Sequence, residues 1–185
     1  MARVPTVTQD SVPAGQEATF REFVQQRGEV PASGPASIMI NVPEIAARAA
    51  HLSDYLRKES SLSLRIQELA MLVTARELDC QYIWNAHAAS GRKTGLADET
   101  VDRLRERREL SGLAPDEAAA VDFGREFFRA HRVSSSSFDT AVARFGIRGV
   151  TELTNLMGYY AMLAFNINAF EVDLPAERTE PVLPV

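Results

Sequence analysis

The sequence predicts an all-α protein, and three observations support that prediction. Apolar residues recur at helical spacing through most of the chain, and no segment shows the sustained alternation of a strand. Residues that typically begin or end helices delimit these periodic stretches. With 185 residues, of which 45% are hydrophobic and 24% charged, the chain has the size and composition of one globular domain.

Residues that favour helix ends mark the predicted helices of the first half. Gly28 ends the first helix, Pro43 suits the first position of the second, and Ser63 is a plausible N-cap for the third. Asp79 is expected to end the third helix and to cap a fourth that begins at Cys80. These helices are predicted at residues 16–27, 43–58, 64–78 and 80–92, with a loop at residues 30–35.

The second half shows the same kind of signals. Asp98 caps a short helix, and Pro115 begins the next, with acidic residues in its first turn. The serine run 134–137 is a break and a cap, and Gly146 separates a short helix from the last long one. These helices are predicted at residues 98–108, 115–131, 138–145 and 148–170.

Composition excludes several classes of function. The net charge of -5 argues against a general nucleic-acid binder, and the basic run 103–108 reads as a solvated helix face held by charge pairs. No segment is predicted to span a membrane, and the N-terminus lacks the apolar core of a signal peptide. A single cysteine allows no internal disulfide, which predicts a cytoplasmic protein.

Three titratable residues, Glu68, Cys80 and His87, fall within a short helical and mostly apolar stretch. Such groups serve in proton transfer and nucleophilic chemistry. Glu68 shares its helix face with the apolar residues Leu64, Met71, Leu72 and Ala75. On the other side of the helix, Arg65, Arg76 and Glu77 are expected to point outward. A proton carrier is one interpretation of Glu68, and a structural ion pair with Arg65 or a neighbouring subunit is the other.

Cys80 and His87 lie two turns apart on one predicted helix face, with Ile83 and Trp84 between them. In a first helical turn, the backbone N–H groups would lower the pKa of the Cys80 thiol. A lone cysteine is more often a small buried hydrophobe, and a lone histidine is more often a hydrogen-bonded core residue. If the two helices fold back on each other at Asp79, Glu68 can approach this face.

At these residues the chain resembles the carboxymuconolactone decarboxylase family, which includes the alkylhydroperoxidase D-like proteins. The family pattern is a Glu, a Cys twelve positions later, in the peroxidase branch a second Cys three further on, and a His four after that. Glu68, Cys80 and His87 match this pattern, and Ile83 occupies the second Cys position. The resemblance covers about residues 36–173, which divides the chain into a tail and helix at 1–35, a helical domain at 36–173 and an irregular tail at 174–185.

The resemblance implies an alkylhydroperoxidase D-like helical bundle that forms homo-oligomers, as a dimer, trimer or hexamer, with sites near subunit contacts. Because Ile83 removes the resolving thiol, a two-cysteine peroxidase cycle is unavailable. The run from Tyr82 to His87 resembles the Tyr-Glu-Trp-x-x-His run of the non-peroxidase branch, with Ile83 in place of Glu. That branch includes lyases that decarboxylate a lactone acid, which requires a cationic clamp and a proton donor.

The leading hypothesis is therefore decarboxylation or related proton transfer on a small organic acid or lactone. Glu68, Cys80 and His87 would be the catalytic residues: Glu68 and His87 would share the acid–base work, and Cys80 would line the pocket or stabilise charge. Tyr82, Ile83 and Trp84 would contact the substrate. A one-cysteine peroxidase and a non-catalytic small-molecule-binding protein are the alternatives. Neither a metal nor a cofactor is expected, because the spacing is not that of a zinc site and nucleotide-binding motifs are missing.

Overall fold

The computed structural model describes residues 2–178 and 180–185, and within them the regular structure is helical, with no strand. The all-α prediction is confirmed. A short 3₁₀ turn at Gln9–Ser11 precedes the first α-helix, and a π-helical turn at Tyr55–Glu59 follows the third. The α-helices are α1 Glu17–Arg27, α2 Gly34–Met39, α3 Pro43–Asp54, α4 Leu64–Glu77, α5 Gln81–Lys93, α6 Asp98–Arg105, α7 Pro115–Ala130 and α8 Ser135–Phe170.

Several predicted helix ends lie where the sequence places them. Gly28 ends α1 in the left-handed conformation, with a φ of 87°. The Ser63 side chain accepts a hydrogen bond from the backbone N–H of Ile66, and Ser134 caps α8 in the same way. Gly146 interrupts α8 with a φ of 66° and a ψ of 173°, so the two predicted helices are joined across a kink.

Two local features differ from the prediction. Gly34–Met39 forms a short helix that begins inside the predicted loop, because Pro35 occupies the first turn, where its missing N–H costs no hydrogen bond. The helix that begins at Pro43 ends as an α-helix at Asp54 and continues as the π-helical turn. Periodicity alone does not distinguish a π-helical turn from the α-helix that it extends.

The junction between α4 and α5 corrects the predicted role of Asp79. Asp79 adopts the left-handed conformation, with a φ of 51°, and Cys80 is the N-cap of α5. The Asp79 carboxylate accepts hydrogen bonds from Arg76 and Arg107 instead of capping the helix. The Cys80 N–H donates to the Ala75 carbonyl at 2.8 Å, which folds the two helices back on each other.

Helix α4 is the centre of the bundle and packs against α5, α7 and α8. Its residues 66–76 are all buried, so α4 has no solvent-facing side over this stretch. The expectation that Arg76 points outward is wrong, since Arg76 is only 2% exposed. Its guanidinium reaches the carbonyls of Arg105 and Pro184, both at 2.8 Å, and pairs with Asp79. These acceptors replace the water that an outward arginine would bind.

None of the described helices combines the length and the apolar character needed to cross a membrane.

Candidate active site

Glu68 on α4 and His87 on α5 form a direct hydrogen bond. The distance from His87 Nδ1 to Glu68 Oε2 is 2.8 Å. Glu68 is only 5% exposed, and His87 is half-buried. An ionised carboxylate can only accept hydrogen bonds, so Nδ1 carries the proton that the pair shares. The Nε2 atom of His87 is then the ring nitrogen left for a ligand.

The alternative pairing of Glu68 with Arg65 does not occur. Arg65 instead pairs with two acids at the start of α7, Asp116 at 2.7 Å and Glu117. The partner of Glu68 in the described structure is therefore His87, an ionisable group that also faces a pocket. The geometry fits a proton carrier better than a structural arginine pair.

His87 lines an open pocket of about 400 Å³ whose wall is formed by residues of α1, α2, α3, the π-helical turn, α5 and α8. This volume suits a small organic molecule. Of the described residues that line it, none is acidic, and two, Arg27 and Arg57, are permanently cationic. The other lining residues include Met39, Ser53, Tyr82, Ile83, Tyr159, Tyr160 and Leu163.

Two tyrosines of α8 form one wall of this pocket. The rings of Tyr160 and His87 meet edge to face, with centroids 5.1 Å apart and an interplanar angle of 79°. Burial raises the pKa of Tyr160 and of Tyr159, while the nearby Arg57 guanidinium acts in the opposite direction on both. Tyr160 is therefore a neutral hydroxyl at working pH, able to donate a hydrogen bond to a ligand oxygen.

Cys80 lies outside the wall of this pocket and is fully buried. Burial raises the pKa of its thiol, and the backbone N–H groups of Ile83 and Tyr82 only partly oppose that effect. Of the two interpretations of Cys80, the small buried hydrophobe therefore fits the structure and the lowered pKa does not, because loss of solvation outweighs the helix N-terminus. The structure brings Glu68 and His87 together, with His87 in the pocket wall and Glu68 behind it, and leaves the thiol in the core.

Two of the three residues predicted to contact the substrate line the pocket, and the third lies in the core. Tyr82 and Ile83 line the pocket, and the Tyr82 hydroxyl lies 3.4 Å from Ser33 Oγ. Trp84 points into the core, where it is almost fully buried, and its Nε1 has no hydrogen-bond partner among the described residues. The helical turn of α5 explains this split, since successive residues face different sides.

Two pocket residues were not predicted, Arg27 and Arg57. Both read as ordinary surface arginines in the sequence, and no local pattern distinguishes them from the other arginines of the chain. In the described part of the chain, no group of three or more His, Cys, Asp or Glu side chains has a metal-binding arrangement.

The helical bundle resembles solved structures of alkylhydroperoxidase D-like proteins. A peroxidase-related protein from Ralstonia eutropha, described as an alkylhydroperoxidase AhpD core, superposes with a TM-score of 0.72 at 16% identity, covering 95% of this chain and 93% of its own. ATU0492 from Agrobacterium tumefaciens, a putative antioxidant defence protein AhpD, superposes with a TM-score of 0.68 at 18% sequence identity, covering 75% of this chain and 96% of its own. The debrominase Bmp8 superposes with a TM-score of 0.67 at 16% sequence identity, covering 92% of this chain and 91% of its own. At sequence identities of 16–18%, the structural similarity shows that the proteins share this fold.

Residues 43–126 match the model of the Carboxymuconolactone decarboxylase family. The resemblance to that family is thereby confirmed. The matched segment contains Glu68, Cys80 and His87, whereas Tyr159 and Tyr160 lie beyond it. No curated protein matches the chain.

Proposed function

We propose that this protein is an enzyme that decarboxylates, or otherwise transfers a proton on, a small organic acid or lactone in the His87 pocket. The observation that carries the proposal is the hydrogen bond of 2.8 Å between His87 Nδ1 and Glu68 Oε2, beside a pocket large enough for a small organic molecule. A buried carboxylate that orients an imidazole towards a ligand is an arrangement suited to general acid–base catalysis.

In the proposed reaction, the carbon–carbon bond to the departing carboxylate breaks and CO₂ leaves. The electron pair stays on the neighbouring carbon, conjugated with the lactone carbonyl, and the His87 imidazolium donates a proton from Nε2 to that carbon. Glu68 stabilises the imidazolium beforehand and fixes the orientation of the ring. For proton transfer without loss of CO₂, the neutral imidazole first accepts a proton at Nε2.

The charge of the pocket supports an acidic substrate. Arg27 and Arg57 line it and form no ion pair with any residue in 2–178 or 180–185. In a chain with a net charge of -5, two such arginines around one hollow attract an anion. Tyr160 adds a neutral donor that suits a carbonyl or carboxylate oxygen.

The geometry favours acid–base chemistry over thiol chemistry. A one-cysteine peroxidase requires an accessible thiolate, whereas Cys80 is buried, has a raised pKa and lies outside the pocket. The solved structures include a cysteine-to-alanine variant of the debrominase Bmp8 in complex with 2,3,4-tribromopyrrole. That neighbour makes small cyclic molecules reasonable test compounds for this pocket.

The test compares H87A with the wild-type protein on a panel of small lactone acids. Release of CO₂ and incorporation of deuterium from D₂O, both followed by NMR, report decarboxylation and proton transfer. We expect the wild-type protein to turn over at least one compound of the panel. In H87A the turnover rate should fall by about 100-fold or more, while the helical circular dichroism spectrum stays unchanged. H51A is the matched control, because His51 is exposed on α3 and does not line the pocket.

The same experiment separates the proposal from a non-catalytic binding protein. A binding protein would bind compounds of the panel with no turnover, and E68Q would leave that binding unchanged. Equal turnover by H87A and the wild-type protein would remove His87 from the mechanism and contradict the proposal. We also propose that the enzyme works in the cytoplasm as a homo-oligomer, on the basis of its single cysteine and the family resemblance.

A further inference from the structure

We propose that Arg57, presented by a π-helical turn that Glu152 braces, binds the carboxylate of the substrate in the His87 pocket. This inference rests on the proposed function, because it assigns the recognition of the substrate whose proton chemistry His87 performs. Arg57 contacts the substrate in this proposal, whereas Glu152 acts through Arg57 as a positioning residue.

The π-helical turn is the first observation. Tyr55–Glu59 widens the helical path at the end of α3, and Arg57 stands at its centre. π-Helical structure is rare, occurs mostly as single turns associated with α-helices, and is frequent at functional sites. The surrounding structure must therefore hold this turn in place.

Glu152 on α8 supplies that support from the far side of the turn. Its carboxylate accepts hydrogen bonds from the Tyr55 hydroxyl at 2.9 Å and from the Ser61 N–H at 2.8 Å. Tyr55 begins the turn and Ser61 follows its end, so one buried carboxylate joins both sides. Arg148 completes the brace with a bond to Glu152 at 2.9 Å and another to the Glu59 carbonyl at 3.2 Å.

Arg57 itself is left free by this arrangement. The neighbouring Lys58 pairs with Asp54 at 2.7 Å, and Arg148 is held by Glu152. Arg57 forms no ion pair or hydrogen bond with the residues that the structure describes, and it lines the His87 pocket. The turn braced by Glu152 therefore positions the Arg57 guanidinium at the pocket without a protein partner. Such a cation is available for an anionic ligand.

The surroundings of Arg57 indicate a carboxylate. Arg57 lies close enough to Tyr159 and Tyr160 to act on the pKa of both hydroxyls. The Tyr160 hydroxyl forms no hydrogen bond within the described residues, and its ring touches His87. A guanidinium beside a free phenol supplies donors for two oxygens of one oxyanion. Bound there, the carboxylate places the adjacent carbon on the His87 side.

The binding test uses a lactone acid, 5-oxotetrahydrofuran-2-carboxylate, and its uncharged carboxamide as probes, with affinities from NMR titration. We expect the wild-type protein to bind the carboxylate about 10-fold more tightly than the carboxamide, a ratio that one charge-assisted contact supports. R57M should remove most of this preference, leaving only the contribution of Arg27, and R57K should restore part of it. K58M is the matched control and should keep it, because Lys58 lies outside the pocket wall.

A second variant tests the positioning role without removing the buried charge. Y55F deletes one donor to Glu152 at the start of the turn. We expect it to weaken carboxylate binding about three-fold, to leave carboxamide binding unchanged, and to have no further effect in the R57M background. Equal weakening of both probes would show general loss of structure and would overturn the role of Glu152.

The outcomes separate this inference from the proposed function. Equal wild-type affinity for the two probes, or an unchanged preference in R57M, overturns the inference even if H87A abolishes turnover. Loss of carboxylate preference in R57M together with normal turnover in H87A supports the anion site and contradicts the proposed acid–base function.

Discussion

His87 has one ring nitrogen bound to Glu68 and the other left for the pocket, and this division depends on the charge of Glu68. In E68Q the side chain can donate as well as accept, so it no longer selects the tautomer protonated at Nδ1. We expect a changed tautomer population of His87, measured from its ¹⁵N ring shifts, and a turnover lower by about 100-fold.

E117Q is the control for this prediction, since Glu117 is also a buried acid but pairs with Arg65 away from the pocket. It should leave the His87 ring shifts unchanged. An unaltered tautomer in E68Q would show that Glu68 does not orient the imidazole.

The burial of Cys80 leads to a separate expectation about its reactivity. A buried thiol with a raised pKa has little thiolate at neutral pH. We expect very slow modification by a thiol-reactive dye in the native protein and rapid modification after denaturation. C80A should retain turnover, and the native protein should consume no peroxide. Rapid formation of a sulfenic acid on native Cys80 would contradict this.

The contact between α7 and α8 depends on a missing side chain at Gly124. A Cβ atom at this position would lie 2.7 Å from Met157 Cε and 3.1 Å from Val73 Cγ1. The end of the flexible Met157 side chain can move aside, whereas the β-branched Val73 side chain is stiff. We expect the contact with Val73 to outweigh the gain in helix propensity, so that G124A lowers the free energy of unfolding by about 1 kcal/mol.

G158A is the matched control on α8, where a Cβ would meet nothing within 4 Å. It should be neutral or stabilising by up to about 1 kcal/mol. Urea unfolding of the two variants measures both effects, and equal stabilities would show that the helices can separate enough to admit a methyl group.

The brace between α8 and the π-helical turn should make stability depend on pH. Burial acts to raise the pKa of Glu152, but hydrogen bonds from Ser61, Arg148 and Tyr55 together outweigh it and lower the pKa from 4.5 to about 2. The folded state therefore binds this proton more weakly than the unfolded chain, and the stabilisation is complete above pH 4.5. It is lost as the pH falls from 4.5 towards about 2.

Thermal unfolding between pH 7 and pH 2.5 tests this dependence. E152Q should be less stable than the wild-type protein at pH 7, and the difference should shrink in acid, because below pH 4.5 the unfolded wild-type chain binds a proton at this carboxyl group while the folded protein largely does not. A constant difference across this range would mean that the charge of Glu152 does not hold the turn.

The C-terminal tail is part of the folded molecule. Leu183 is only 1% exposed, and its carbonyl accepts a hydrogen bond from Gln81 at 3.0 Å. We expect L183A to lower the free energy of unfolding by about 2 to 4 kcal/mol, as for other buried leucines. V182A, at an exposed neighbour, should change it little. Equal unfolding curves for L183A and the wild-type protein would place the tail outside the cooperative core.

The homo-oligomeric state remains a prediction, and light scattering, which measures the molar mass in solution, tests it.

Local signals in the chain were sufficient for most of the helices. Helical periodicity, Ser63 and Gly146 depend on residues within a few positions, and these signals act largely independently of the rest of the fold. The sequence made the approach of Glu68 to the His87 face conditional on a fold-back at Asp79, and the contact of 2.8 Å between the two side chains meets that condition.

Contacts between distant parts of the chain decided the rest. Tyr55 and Glu152 are 97 positions apart, and their bond helps to hold the π-helical turn that carries Arg57. Cys80 owes its raised pKa to the solvent that the packed core excludes, an effect that overrides the local preference of a helix N-terminus. Desolvation and long-range hydrogen bonding depend on three-dimensional neighbours, which is why the proposed anion site and the burial of Cys80 became evident only in the folded molecule.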